Sequence, residues 1–162
     1  METLSLSKSW MIAMKTINTI QLSNSFIKLL ESLNENDLKI QVNDNWTVKD
    51  VITHLVDWEE ESTKQLPLSW KFHKKPWFMT NNDDFKDFNS ESLKKYKNMS
   101  KKQLISEWKK WQSLLQKEID KIGEEKLRSD YDFFEWVFDE GGQNHYFEHY
   151  DQIMKALIYK NK

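Results

Sequence analysis

The chain has 162 residues, with 24 Lys plus Arg against 26 Asp plus Glu, a net charge of −2 and 38% hydrophobic residues. That size suits one ordinary domain with a real core, so a single domain over residues 1–162 is expected. A mean hydropathy of −0.81 and the lack of a long apolar run speak against a membrane span, and the balanced charge lacks the basic footprint of a nucleic-acid binder.

Aromatic residues reach 14%, with eight Trp and nine Phe, which is too rich for a disordered chain. Three Gly and two Pro leave few helix breakers, so long helices are favoured over a sandwich or barrel. With no Cys there is no disulfide, no thiolate metal ligand and no cysteine nucleophile. Met1-Glu2-Thr3 lacks a basic region, and Met11-Ile12-Ala13-Met14 is too short for a leader core. A cytoplasmic protein with no membrane or nucleic-acid partner is expected.

In chain order, the first predicted helix runs from about Trp10 to Leu33, where Met14, Ile17, Ile20, Ile27, Leu30 and Leu33 fall near helical spacing. The second opens on a capping box, Thr47 with Asp50, with Trp46 placed to staple onto Val51, and is expected to reach about Gln65. From Leu66 to Met99 a long connection holds both Pro and the aromatics Trp70, Phe72, Trp77, Phe78, Phe85 and Phe88. A short helix from about Asn89 to Lys97 fits within it. The rest is read as a crossover that lies over one end of the molecule.

The third long helix opens on a second capping box, Ser100 with Gln103, carries the stripe Leu104, Trp108, Trp111, Leu115, Ile119 and Ile122, and stops at Gly123. The last follows Gly141-Gly142 and places Tyr146, Tyr150, Ile153, Met154 and Leu157 along it. The sum is an all-α protein, a four-helix bundle with one long crossover connection between helices two and three.

Four histidines occur: His54, His73, His145 and His149. The last two are four apart on one helix face, one turn above the other, close enough to grip a single ion. His54 lies between Val51 and Trp58 on an apolar stripe of the second helix. Three imidazoles from two helices would make a facial nitrogen site with open positions. The same spacing serves a second reading, in which each imidazole is buried and bonded to a carbonyl or to Tyr146 or Tyr150. His73, beside Lys74 and Lys75, reads as a solvated or lid residue.

The run from Asn45 to Glu59, with Trp46-Thr47-Val48-Lys49-Asp50, then His54 and Trp58 one turn later, resembles the helix-two signature of the DinB-like superfamily, regarded as metalloenzymes on a four-helix bundle. Asn144 to Ile153, with histidines four apart, is similar to that family's closing helix. Asp87-Phe88-Asn89 followed by Leu93 and Tyr96 resembles its connection into helix three. The likeness spans about residue 20 to the end. The stretch Asp132-Phe133-Phe134-Glu135-Trp136 carries no family motif.

The resemblance implies a divalent metal, zinc or nickel, held by His54, His145 and His149. It further implies water or a low-molecular-weight thiol cosubstrate as nucleophile toward a small-molecule substrate, in hydrolase or thiol S-transferase chemistry of a detoxification or stress kind. The alternative is a protective bundle that binds metal or ligand without turnover. With no Cys, any thiol must come from the cosubstrate. The segment Trp70 to Phe78 serves either as a pocket for a small apolar electrophile or as a hydrophobic cap. Asp57 and Glu148 are candidates to accept hydrogen bonds from the ligand imidazoles. The other reading puts Asp57, Glu59, Glu60 and Glu61 on a solvated acidic face. Pairing into a homodimer through an apolar helix face is compatible with such a bundle, and no sequence feature decides it.

Overall fold

The computed structural model describes residues 19–80, 82–138 and 145–160, with side chains from Ser23 to Thr80, Lys86 to Phe138 and His145 to Lys160. Residues 10–18 of the first predicted helix and Gly141-Gly142 lie outside the described residues. The described residues form seven α-helices and no strand: α1 (Thr19–Ser32), α2 (Val48–Phe72), α3 (Asn82–Tyr96), α4 (Lys101–Ile122), α5 (Glu124–Arg128), α6 (Tyr131–Phe138) and α7 (His145–Lys160), with 3₁₀ turns at Asp37–Lys39 and Trp77–Met79.

Both predicted capping boxes are present and fix where α2 and α4 begin. Thr47 Oγ1 accepts from the Asp50 amide at 3.2 Å, and Asp50 Oδ2 accepts from the Thr47 amide at 2.9 Å. Ser100 and Gln103 exchange the same pair of bonds at 3.3 and 2.8 Å. Gly123 ends α4 at φ 98°, a left-handed value that favours a residue without a Cβ, and its amide bonds Ile119 O at 2.8 Å.

The expected end of α2 near Gln65 is too early. The helix continues through Pro67 to Phe72, where His73 adopts the left-handed conformation at φ 48°. A Pro inside a helix costs about 3 kcal/mol and signals a stop. Here tertiary burial opposes that signal, because Leu66 and Ser69, on either side of Pro67, are almost fully buried. Leu66 packs with Leu115, Ile119, Leu127 and Phe134 in one of two core clusters. The predicted long loop is correspondingly short: α3 starts at Asn82 rather than Asn89 and reaches Tyr96.

α4 packs along α2 and α1, and α7 packs on α1 and α2, so the four helices close a ring of neighbours, while α3 lies on α2. The main core within this ring includes Phe26, Leu30, Val51, Leu55, Trp108, Tyr146 and Ile153. The aromatic stretch without a motif is α6, whose Phe134, Trp136, Val137 and Phe138 are buried and close the far end of α2 and α4. Before α2, Gln41 and Thr47 form an isolated antiparallel bridge that turns Trp46 toward the core. No helix of the described residues is long and apolar enough to cross a membrane.

Candidate metal centre

The capping box at Thr47 fixes the register of α2 so that His54, two turns in, points inward and is 3% exposed. His145 is the first residue of α7 and His149 stands one turn later. These histidines, the trio singled out by sequence, come together. His54 Nε2 lies 2.8 Å from His145 Nε2, and His145 Nε2 lies 3.2 Å from His149 Nε2. Potential ligand atoms of the trio all fall within 4.8 Å of one another.

Hydrogen bonding within the trio does not satisfy it. His149 Nδ1 donates to Gln152 Oε1 at 3.0 Å, which leaves a lone pair on the His149 Nε2 of the neutral ring. His145 Nε2 faces both partners, yet one nitrogen presents either a proton or a lone pair. His54 Nδ1 is buried without a hydrogen-bond partner among the described residues. Burial pushes all three imidazoles below the usual histidine pKa, strongly for His54 and His145, where neighbouring imidazoles push the same way. The rings are therefore neutral at pH 7, the state that binds metal. Imidazole nitrogens at about 2.0–2.1 Å from a shared ion, subtending 90–110°, sit roughly 2.9–3.4 Å apart; the 3.2 Å spacing falls in that range and the 2.8 Å spacing just below it.

Aromatic rings wall the trio. Trp46 stacks on His149, with centroids 6.0 Å apart at 22°, and lies 5.1 Å from His54. Trp58 is 4.4 Å from His145, and Phe88 meets His54 edge-on at 5.5 Å. Phe78 packs behind Trp58 and is fully buried. A cavity of about 390 Å³ opens beside His149, lined by the turn Asn43 to Trp46, Asn89 and Gln152. The segment Trp70 to Phe78 does not line this cavity. Its Phe78 fills the core, while Trp70, Phe72 and Trp77 are exposed.

Several expectations for the surrounding residues need correction. Asp57 accepts from Ser92 Oγ at 2.6 Å and from Lys95 at 2.7 Å rather than from a histidine. Glu148 is exposed and Gln152 occupies the role expected of it, a partner that the spacing of three after His149 could have indicated. The solvated acidic face does not exist as predicted, since Asp57, Glu59 and Glu60 are all buried. Glu60 accepts from Lys95 at 2.7 Å, Lys64 at 2.5 Å and the Tyr96 hydroxyl. Burial would raise its pKa, and these bonds outweigh burial and hold it low. This network ties α3 to α2 and holds the phenylalanine wall in place.

Glu59 is different. Ser23 Oγ donates to it at 3.0 Å, its Oε2 has no partner within hydrogen-bond distance among the described residues, and the Trp108 indole beside it favours the charged form. Burial pushes its pKa up to about 8, so it is a neutral acid at pH 7. His73 stands apart from the trio, exposed as expected, stacked on Phe133 at 4.0 Å and paired with Asp130 at 2.8 Å.

An all-helical fold with three neutral imidazoles converging from two helices defines a helical protein with a candidate divalent-metal centre. The family model of the DinB superfamily matches residues 20–152, a span that holds all three histidines, and the chain belongs to that superfamily. No curated protein and no solved structure matches the chain.

Proposed function

We propose that the protein is a divalent-metal-dependent enzyme acting on a small molecule, as a hydrolase or a thiol S-transferase in a detoxification or stress role. The observation that carries this reading is the convergence of the His54, His145 and His149 Nε2 atoms at metal-ligand spacing beside a cavity. The closed ring formed by α1, α4, α2 and α7 supports a four-helix bundle in one domain, with α3 in the crossover between its second and third helices.

His54, His145 and His149 would hold zinc or nickel, between which neutral imidazoles do not discriminate. Such an ion supplies Lewis acidity that brings a bound water to a pKa near 7 and acidifies a thiol in the same way. The chain's own residues set the conditions. Gln152 fixes the His149 tautomer and ring plane. Trp46, Trp58 and Phe88 keep water from three sides of the trio, and the cavity beside His149 leaves a side open to a small molecule. No Cys stands in the chain, so the thiol of an S-transferase reaction comes from a cosubstrate.

A protective bundle that binds metal or ligand without turnover is the competing reading. Metal analysis of the purified protein, followed by assay of a small thiol with a model electrophile, separates the two. Stoichiometric metal, and conjugation lost in His54→Ala, are expected. Wild-type protein without metal overturns the metal centre on which the enzyme reading rests, and conjugation that survives His54→Ala overturns the enzyme mechanism.

A further inference from the structure

The connection between α1 and α2 uses one local device at two places. Asn34 Oδ1 accepts from the amides of Asn36 and Asp37 at 2.9 and 3.0 Å, and Asn43 Oδ1 accepts from the amides of Asn45 and Trp46, both at 3.0 Å. An asparagine that bonds amides two and three residues ahead closes a tight turn with its own side chain. The turns differ in what they carry. The first leads into the 3₁₀ turn at Asp37–Lys39, whose residues are not among the rings that wall the trio. The second ends on Trp46, whose ring stands 5.1 Å from that of His54 and stacks on His149 with centroids 6.0 Å apart at 22°.

Trp46 thus meets one histidine from each of the two helices that supply the trio. Gln152 holds the Nδ1 edge of His149 and the Trp46 ring lies against its face, so together they define the plane of that ring. The plane matters because the lone pair that binds a metal lies in it. Trp46 is itself held at both backbone groups. Its amide donates to Asn43 Oδ1, and its carbonyl accepts from the amides of Val42 at 2.8 Å and Asn43 at 3.4 Å. The bridge between Gln41 and Thr47 and the Thr47 capping box anchor the ends of the turn, and between these anchors Asn43 supplies its side-chain bonds. Asn43 is exposed, and its side chain bonds amides rather than histidines.

We propose that Asn43 is a positioning residue of the metal centre: it fixes Trp46, and through the Trp46 ring it sets the imidazole planes of His149 and His54 for a shared ion. The proposal rests on the reading of the trio as a metal site and adds to it a residue that no ligand spacing marks.

The test compares Asn43→Ala, Asn43→Asp and Asn34→Ala in the full chain. Asn43→Asp keeps an acceptor oxygen that Asn43→Ala removes, and Asn34→Ala removes the same kind of bond pair from the turn that carries no wall of the trio. Zinc and cobalt affinities come from competition with a chromophoric chelator, and the visible spectrum of bound cobalt reports ligand geometry. In metal-free protein the His149 ring-proton NMR signals, shifted by the Trp46 ring against them, report the stack itself. Asn43→Ala is expected to weaken both ions about three- to tenfold, the range one hydrogen bond spans, to alter the cobalt spectrum and to move the His149 signals. Asn43→Asp is expected to restore wild-type values, and Asn34→Ala to leave them in place. In a Trp46→Ala background, Asn43→Ala is expected to weaken binding no further, because Asn43 acts through that ring. Where the alanine variant folds poorly, Asn43→Ser, a shorter acceptor, gives an intermediate value. Affinities unchanged in Asn43→Ala, equal losses in Asn34→Ala, or a loss that persists in the Trp46→Ala background overturn the proposal. Wild-type protein that takes no metal overturns the metal reading instead. His149 signals that move in Asn43→Ala and not in Asn34→Ala then sustain the hold of Asn43 on the ring, and unmoved signals overturn it.

Discussion

His54 and His145 face each other Nε2 to Nε2 at 2.8 Å across 91 positions of sequence. Since His145 Nε2 also meets His149, it is the nitrogen common to both contacts. His145→Ala is expected to lower zinc or nickel affinity by more than about a hundredfold, exceeding the 10–100-fold typical of losing an outer partner of a ligand. Competition against a chromophoric chelator measures it. Metal should also raise the wild-type melting temperature, because it binds the assembled trio and not the unfolded chain, and this rise should vanish in the variant. An equal rise in both proteins would place the metal elsewhere.

Gln152 orients His149 without touching the other two imidazoles. Gln152→Ala is expected to reduce metal affinity about 10–100-fold while leaving helix content unchanged, and Gln152→Glu to restore much of it, since a carboxylate also accepts from Nδ1. Calorimetric titration of the three proteins tests this, and an affinity unmoved by the alanine variant would remove the orienting role.

Glu59 makes stability depend on pH in a specific direction. Its folded pKa, raised to about 8 by burial, lies above the ordinary glutamate value of 4.5, so the folded state holds a proton that the unfolded state releases. Its contribution is complete below about pH 4.5, declines as pH rises and is gone above about pH 8. The buried imidazoles act oppositely, destabilising the fold as pH drops below the unfolded histidine value of about 6.5. Glu59→Gln should remove only the alkaline decline. Urea unfolding of wild type and Glu59→Gln from pH 5 to 9 gives the difference curve, and parallel curves would show that Glu59 is charged in the fold.

Lys95 stands between the buried carboxylates of Asp57 and Glu60, at 2.7 Å from each. Lys95→Met leaves these acids facing one another with Lys64, Tyr96 and Ser92 as remaining donors, and is expected to cost about 2–3 kcal/mol. Adding Asp57→Asn should recover part of that loss. Chemical denaturation of the single and double variants checks the pair, and strictly additive losses would deny the coupling.

Local chemistry in the sequence specified much of this protein. Thr47 with Asp50 and Ser100 with Gln103 mark the starts of α2 and α4 because a capping box is built from residues three apart. Gly123 marks an end because a positive φ favours glycine. His145 and His149 share a face by helical periodicity, His54 falls on the apolar stripe between Val51 and Trp58, and the DinB likeness implied the three together as metal ligands. Features that depend on distant residues escaped. Pro67 reads as a stop until Leu66 is buried between Leu115 and Phe134. Asp57, Glu59 and Glu60 read as a solvated face until α3 supplies Ser92, Lys95 and Tyr96, and until Ser23 of α1 covers Glu59. Burial and charge pairing are sums over groups far apart in the chain, so composition and spacing do not contain them. For the same reason the histidine spacing admitted both a metal site and separately bonded imidazoles, and it was the packing of α7 on α2 that brought the Nε2 atoms together.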